Sequence, residues 1–557
     1  MNTYDAIVIG SGISGGWAAK ELTEKGLRTI MLERGPNLEH VKDYKTADKN
    51  PWELDHRGMV PQPQVKERPV VGHSWAATES TIGSWVKEDD CPYTQVQPFS
   101  WFRSYQLGGR SLLWGRQCYR WSDLDLEANA RDGWAIDWPV RYRDLAPWYD
   151  YVERFIGVSG SKEGLSHLPD GQFLPPMEMN CVEKDVAARI KSHYKGSRHM
   201  IIGRVANLTA PIAGRGQCQY RNRCWEGCPF GGYFSTQSST LPAAVATGKL
   251  TVRPHSIVTR ILYDKDTKRA KGVEVLDAET NKTYTYNARI VFLNASTLNS
   301  AWVLMNSATD IWPGGLGSSC GELGHNIMDH HMGVGAYGRV EGFEDKYYYG
   351  RRANLVYITR FANVGSDKRD YLRGFGFLGS ASRQDWQRNI AELSIGASLK
   401  ETLTEPGQWA VGITGFGELL PYHENRITLD KDKKDRWGLP ILAMDVSLKD
   451  NERKMRKDMR LEAEAMLDAA GLKNIYSWEE GHRPGAGIHE MGSARMGRDP
   501  RTSVLNPHNQ VWDAKNVFVT DGSCMTSSAC QNPSLTYMAL TARAVDFAVG
   551  ECRKGNL

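Results

Sequence analysis

The stretch YDAIVIGSGISGGWAAKELTEKGLRTIMLERG, residues 4 to 35, constrains this chain more than any other. Ala6 to Ile9 is an unbroken apolar run of the buried-strand type. Gly10, Gly12 and Gly15 follow as Gly-x-Gly-x-x-Gly, with Ile13 and Ser14 between them. A helix is predicted from about Ser14 to Lys25. A second strand is predicted over Thr29 to Leu32, ending in Glu33 and Arg34. In such a β-α-β unit the glycines permit a tight turn and bring backbone N–H groups to a pyrophosphate at the helix N-terminus. Glu33 stands about twenty residues on, where a carboxylate accepts from both ribose hydroxyls. A carboxylate there argues against a 2′-phosphate, which leaves FAD or NAD. A glycine-rich turn alone would carry little. Strand, glycines, helix, strand and acid in register carry much more.

A chain of 557 residues needs two or more domains. With 41% hydrophobic and 24% charged residues it has the composition of a soluble globular protein. A net charge of +4 and the lack of a Lys/Arg-rich block argue against a nucleic-acid partner. No apolar run is long enough to span a bilayer, so no transmembrane segment is expected. The opening MNTYDAIVIGSG lacks the features of a signal peptide. Ten cysteines over this length do not make a disulfide scaffold.

Three further segments bear on chemistry. Near the C-terminus a strand is predicted over Asn516 to Thr520, followed by Asp521-Gly522. Asn532-Pro533 then leads into a helix from about Leu535 to Val549, which carries Thr536. GIHEMGSARMG places His489 in a glycine-rich loop, and LGGRSLLWGRQC, residues 107 to 118, is another glycine-rich turn. Between these, residues 331 to 480 alternate strand-like runs, among them RANLVYITRF, GFGFLGSAS and ELSIGASLKETL. A hairpin is predicted in NRITLDKDKKDRWGLPILAMDV, and a helix in the segment after it. Tyr347-Tyr348-Tyr349 is an aromatic run suited to stacking on sugar rings or to core use. His330 and His331 look like a metal pair, but no further ligands follow at suitable spacing, so packing is the simpler reading.

The order of these motifs resembles the glucose-methanol-choline (GMC) oxidoreductases, FAD enzymes that oxidise alcohols. The likeness covers the N-terminal fingerprint, the Gly108-Gly109 turn, HSIVTRILYD, RIVFLNASTLNSAWVL and everything from His489 on. It implies an α/β chain, α+β overall. A Rossmann-like FAD-binding domain would hold residues 1–330, with insertions at about 46–95 and 131–200, and would resume at 481–557. A discontinuous substrate domain over 331–480 would be built on an antiparallel sheet flanked by helices. It further implies that Gly108, Gly109 and Ser111 run along the isoalloxazine and that Val258 meets the adenine. Asp521 and Gly522 would contact the ribityl and pyrophosphate region, and Asn532, Pro533 and Thr536 the ring. His489 matches the family's base in HEMGS, and Asn532 stands at its partner position. An alcohol is a weak acid, so a base near neutral pKa has to be positioned to take its proton. Asn532 also suits helix N-capping. Members that attach FAD covalently use a histidine just after the Gly-Gly turn. RSLLWGRQC has none, so non-covalent FAD is expected.

Cys218, Cys224 and Cys228 fall within eleven polar residues, CQYRNRCWEGC, followed by Pro229 and glycines. A disulfide would leave one thiol over, and structural zinc prefers closer spacing and a fourth ligand. Three thiolates before Cys-Pro suit an iron–sulfur cluster, of the 3Fe-4S type. The spacing is similar to that in the FAD/iron–sulfur large subunits of bacterial glucoside 3-dehydrogenases and related sugar dehydrogenases. That resemblance implies oxidation of a ring hydroxyl, with carbon-3 of a glucoside as best guess. Aldose 1-dehydrogenase and gluconate 2-dehydrogenase types remain alternatives, as do an oxygen-using oxidase, a non-redox lyase and a non-catalytic electron-transfer subunit. It also implies a small signal-bearing subunit, cytochrome c or a similar acceptor, and a periplasmic location by co-export; a cytoplasmic one is the alternative.

Overall fold

A computed structural model describes residues 3–347, 350, 352–383 and 395–557. The apolar run at the N-terminus forms the strand Thr3–Ile9, and the glycine turn leads into the helix Ile13–Glu24 and the strand Thr29–Leu32. These join an eight-stranded sheet. Its main path runs Gln510–Val511, Ala514–Val519, Thr283–Leu293, Thr3–Ile9, Thr29–Leu32 and Leu250–Arg253. Ser256–Asp264 and Arg269–Asp277 extend it as antiparallel strands from Thr283–Leu293.

The register decides where a ligand can sit. Val519 pairs with Leu293, Leu293 with Ile9, Ile9 with Leu32, and Leu32 with Arg253, all in parallel. Five strands from different parts of the chain therefore stop on one line. Gly10, Glu33, Asn294 and Asp521 are carried together to the carboxyl edge of the sheet, where open α/β sheets bind their ligands.

A second sheet of seven strands is antiparallel. Its order is Lys473–Glu479, Val334–Val340, Trp409–Glu418, Phe375–Arg383, Val356–Ile358 and Met200–Ile202, with His330–His331 paired to the end of Trp409–Glu418. Trp409–Glu418 shows the period of two that such a sheet demands. Trp409, Val411 and Ile413 join Met455, Met459, Met466 and Leu467 of the helix Asp450–Ala469 in a buried core. Each such side chain contributes about 1.5–3 kcal/mol. Phe416 belongs to a small cluster of different make-up, packing with Tyr119, Leu168, Ile201, Tyr357 and Leu378. The rings of Tyr119 and Tyr357 stack at 4.2 Å.

The predicted hairpin is present as Arg426–Lys434 and Pro440–Asp445. ELSIGASLKETL departs from its strand reading. Glu392 to Ser394 lie outside the described residues, and Gly396–Thr404 is a helix. Leu399, Lys400 and Glu401 are good helix formers, and their local preference prevails over the apolar alternation. Tyr348 and Tyr349 also lie outside the described residues. Among the described residues no helix is long and apolar enough to cross a membrane.

Candidate functional site

A long cleft opens at the carboxyl edge of the first sheet. At one end it is lined by Glu33, Arg34 and Val258. Gly10, Gly12, Ile13 and Ser14 follow along its floor. Gly109, Ser111, Asp521 and Gly522 line it further along, and His489 and Asn532 also reach it. Gly10 turns the chain with φ +91°, and a Cβ at Gly15 would collide with the Gly10 carbonyl. Gly15 thus brings helix and strand together behind the wall. Gly108 also stands behind it, donating its N–H to Ser11 Oγ at 2.8 Å. Ser11 N in turn donates to the Glu33 carboxylate at 3.1 Å, and Gly35 N donates to its other oxygen at 2.9 Å. Burial pushes the Glu33 carboxyl up, against the pull of these hydrogen bonds.

Asp521 is buried and accepts from Ser300 Oγ at 2.5 Å and Ser523 N at 3.0 Å. Pro533 precedes the helix Ser534–Arg553, and Thr536 shares a hydrogen bond with Tyr149 at 2.8 Å; neither lines the cleft. The cleft walls include Trp85, Trp101, Phe102, Trp114 and Trp302. Several polar atoms of its lining are buried without a partner: Arg34 Nε, Arg103 Nη2, Ser104 Oγ, Arg116 Nε, Asn294 Oδ1 and Glu490 Oε1. Orphaned buried polar groups are costly, and a ligand that is both flat and rich in hydrogen-bonding groups would satisfy them. A flavin dinucleotide fits that description.

The imidazole of His489 is fixed from three sides. Its backbone N–H donates to Asp329 Oδ1 at 2.9 Å. The same carboxylate accepts from His330 N at 2.8 Å and from Gly485 N and Gly487 N at 2.9 Å each. Asp329 thus straps the whole loop through four backbone donors. Burial, with help from the Glu490 carboxylate, pushes Asp329 up to about 7 despite them. His489 Nδ1 lies 2.9 Å from His330 Nδ1, and its Nε2 lies 3.3 Å from Asn532 Nδ2. Burial, the neighbouring His330 and the Arg110 guanidinium hold His489 well below the usual histidine range. Arg110 is ion-paired to Glu490 at 2.9 Å and also lines the cleft. The cap position of the following helix falls to Pro533 without a side-chain bond, so Asn532 turns to His489 instead of capping.

The cysteine loop lies against another part of the cleft. Cys218, Cys224 and Cys228 are free and half-buried, and each of the three pairs is close enough for one thiol to raise another. Burial pushes Cys218 up to about 11 and raises Cys228. Two sulfurs accept backbone hydrogen bonds, Cys218 from Tyr220 N at 3.4 Å and Cys228 from Gly232 N at 3.3 Å. Asn207 Nδ2 approaches Cys224 at 3.8 Å. Among the described residues no three Cys, His, Asp or Glu side chains converge on a position for a single metal ion. Trp225, inside the loop, meets Trp75 with ring centroids 5.1 Å apart, and Trp75 lines the cleft.

Asp329, Arg110 and Glu490 escaped the sequence reading, which took His330 as packing. His330 and His489 are separated by 159 positions, and the Met328–Met491 bridge together with the Asp329 carboxylate, which accepts from His489 N, brings their segments side by side. The pair MDHHMG was conspicuous, yet its two rings part company. His331 is buried against Gly417, and His330 faces His489.

Residues 4–332 and 421–541 match the family described as GMC oxidoreductase. The chain is 28% identical to 2-methyl-1,2-propanediol dehydrogenase of Mycolicibacterium austroafricanum, over 98% of this chain and 94% of that one. It is 24% identical to the fructose dehydrogenase large subunit of Gluconobacter japonicus, over 99% and 98%. The solved structure of pyridoxine 4-oxidase from Mesorbium loti shares the fold with a TM-score of 0.60 at 16% identity, covering 98% of both chains.

Proposed function

The chain belongs to the GMC oxidoreductases, enzymes that act on CH–OH groups, and from that premise we propose a dehydrogenase that oxidises a ring hydroxyl of a sugar or glucoside. One observation carries this reading: His489 Nε2 and Asn532 stand side by side in the lining of the cleft. Asn532 orients the substrate oxygen by hydrogen bonding, and His489 Nε2 takes the hydroxyl proton. Because His489 is held below the usual histidine range, it is unprotonated and ready at neutral pH. Bound, non-covalent FAD supplies the two-electron acceptor for the carbinol hydrogen and its electron pair. Gly10 to Ser14, Glu33, Val258, Asp521 and Gly522 hold its dinucleotide part, and Gly109 and Ser111 the ring edge.

Cys218, Cys224 and Cys228 would hold an iron–sulfur cluster of the 3Fe-4S type, whose chemistry would be one-electron transfer toward cytochrome c or a similar carrier. The contact of Trp225 with the cleft-lining Trp75 supports this, since it joins the cysteine loop to the cleft wall. The name of the fructose dehydrogenase relative, a large subunit, favours an assembly with a smaller partner; a signal on that partner and a periplasmic location by co-export belong to the same proposal.

The substrate reading is tested by incubating the holoenzyme with glucose, a β-glucoside, fructose and 2-methyl-1,2-propanediol, and locating the new carbonyl in each product. A 3-keto-glucoside is expected. Oxidation of the diol alone would replace the sugar with a small branched alcohol, and that outcome would match the other relative's name. The relay is tested by iron analysis and electron paramagnetic resonance on anaerobically purified protein. Yellow, iron-free protein with an intact cysteine loop would remove it.

A further inference from the structure

His330 has no part in the reading above, yet it is fully buried and its ring touches that of His489. Its two nitrogens have different neighbours. Nε2 is hydrogen-bonded to the Ala529 carbonyl, which can only accept, so Nε2 carries the proton. A ring buried this deeply stays neutral, and burial pushes His330 down to about 4. Its Nδ1 is therefore a bare lone pair, and it lies 2.9 Å from His489 Nδ1. Two bare nitrogens cannot face each other at that distance without repulsion, so His489 Nδ1 must be the donor. A neutral His489 with its proton on Nδ1 has its lone pair on Nε2, the nitrogen beside Asn532. Asn532 Nδ2 is a donor, which agrees.

We infer that His330 is a positioning residue for the base: the chain from the Ala529 carbonyl through His330 to His489 Nδ1 locks His489 into the tautomer whose Nε2 can accept a proton from the substrate. This rests on the assignment of His489 as the base. When Nε2 gains the hydroxyl proton, the Nδ1–H bond to His330 is kept and strengthens, because its donor is now charged. No ring has to flip, and no proton has to leave His330. The charged groups facing the pair are Asp329, under the backbone of both histidines, and Arg110 with its partner Glu490 beside His489. Behind His330 stand Glu418, paired to Arg360 at 2.9 Å, and His331 with Arg456 and His482 beyond it. None of them donates to or accepts from His489 Nδ1, so the tautomer is set by His330.

The test uses the holoenzyme with 15N-labelled histidine, in the wild type and in His330→Leu and His330→Gln variants. In the wild type the ring signals lost on His489→Ala should show a protonated Nδ1 and a bare Nε2. A protonated Nε2 would overturn the inference without any variant having to fold. His330→Leu offers no acceptor, so His489 should change tautomer. The rate of FAD reduction by substrate should then fall between about 100-fold and 10,000-fold, as for other bases held in the wrong tautomer. The loss should lie in kcat with KM little changed, and the visible spectrum of bound FAD should be retained. It should persist at every pH above the histidine limb, whereas a mere pKa change would be recovered at high pH. Glutamine can accept at Oε1 and donate at Nε2, so His330→Gln should recover to within about tenfold of wild type. If His330→Leu keeps wild-type rates, the inference fails. If His489→Ala keeps them, the assignment of the base fails instead.

Discussion

The loop that carries His489 and the loop that carries the three cysteines are both rich in glycine and both lie against the same cleft, but they are built on opposite plans. The histidine loop is complete in itself. Asp329 collects four backbone N–H groups, the ring is held by His330 and Asn532, and Asp329 and His330 are fully buried. The cysteine loop is anchored by two arginines that lie between its cysteines. Arg223 donates to the Thr46 carbonyl at 2.8 Å and Arg221 to that of Ala47, while its thiols are free and half-buried. A proton-transfer group gains from being fixed before substrate arrives. A metal-binding loop draws part of its order from the metal, whose binding displaces the thiol protons. The first loop should therefore fail when its supports are removed, and the second when its ligand is withheld.

The largest expected effect is on the histidine side. His489→Ala should lower kcat/KM by about 10²–10⁴-fold while leaving FAD bound, measured by stopped-flow reduction and the visible spectrum. Next comes Asp329→Ala, which strands four buried donors and should cost about 3 kcal/mol or more in denaturant unfolding. Asp329→Asn, which keeps an acceptor but loses the charge, should cost less. Cys218→Ser, Cys224→Ser and Cys228→Ser should each abolish iron binding yet change the unfolding free energy of the iron-free protein by less than about 1 kcal/mol. An equal loss from Asp329→Ala and Cys224→Ser in iron-free protein would erase the contrast between the loops. The smallest effect concerns pH. With His489 held below the ordinary histidine value of 6.5, kcat/KM should be flat through neutrality and fall only on the acid side, below that value. A limb above it would mean that the ring is charged at rest.

Much of this was legible in the sequence, and the limits of that legibility are physical. The dinucleotide unit is local: strand, turn, helix and acid all fall within 35 residues, so short-range pattern suffices. The helix over 450–469 and the hairpin at 426–445 were readable for the same reason, since their periodicities match their faces. His489 and Asn532 could be picked out by the motifs around them, and the structure brings them within 3.3 Å. Arg110 and Glu490 lie inside two of the sequence motifs and His330 stood out only as half of a metal-like pair, but their partners, like those of Asp329, are set by distant parts of the chain that local pattern does not show. Their roles come from the return of the chain over more than 150 positions. The strand reading failed over residues 396–403, where alternation was weak and helix-forming residues were concentrated.

The most direct test is anaerobic mixing of the FAD-loaded protein with a sugar or glucoside, in parallel with His489→Ala, following the flavin's visible absorbance. The wild type should bleach within the mixing experiment and release one carbonyl product per flavin, while His489→Ala stays yellow with its FAD in place. Bleaching at the same rate in both proteins, or in neither with any sugar or alcohol, would contradict the assignment of this cleft as an alcohol-oxidising site with His489 as its base.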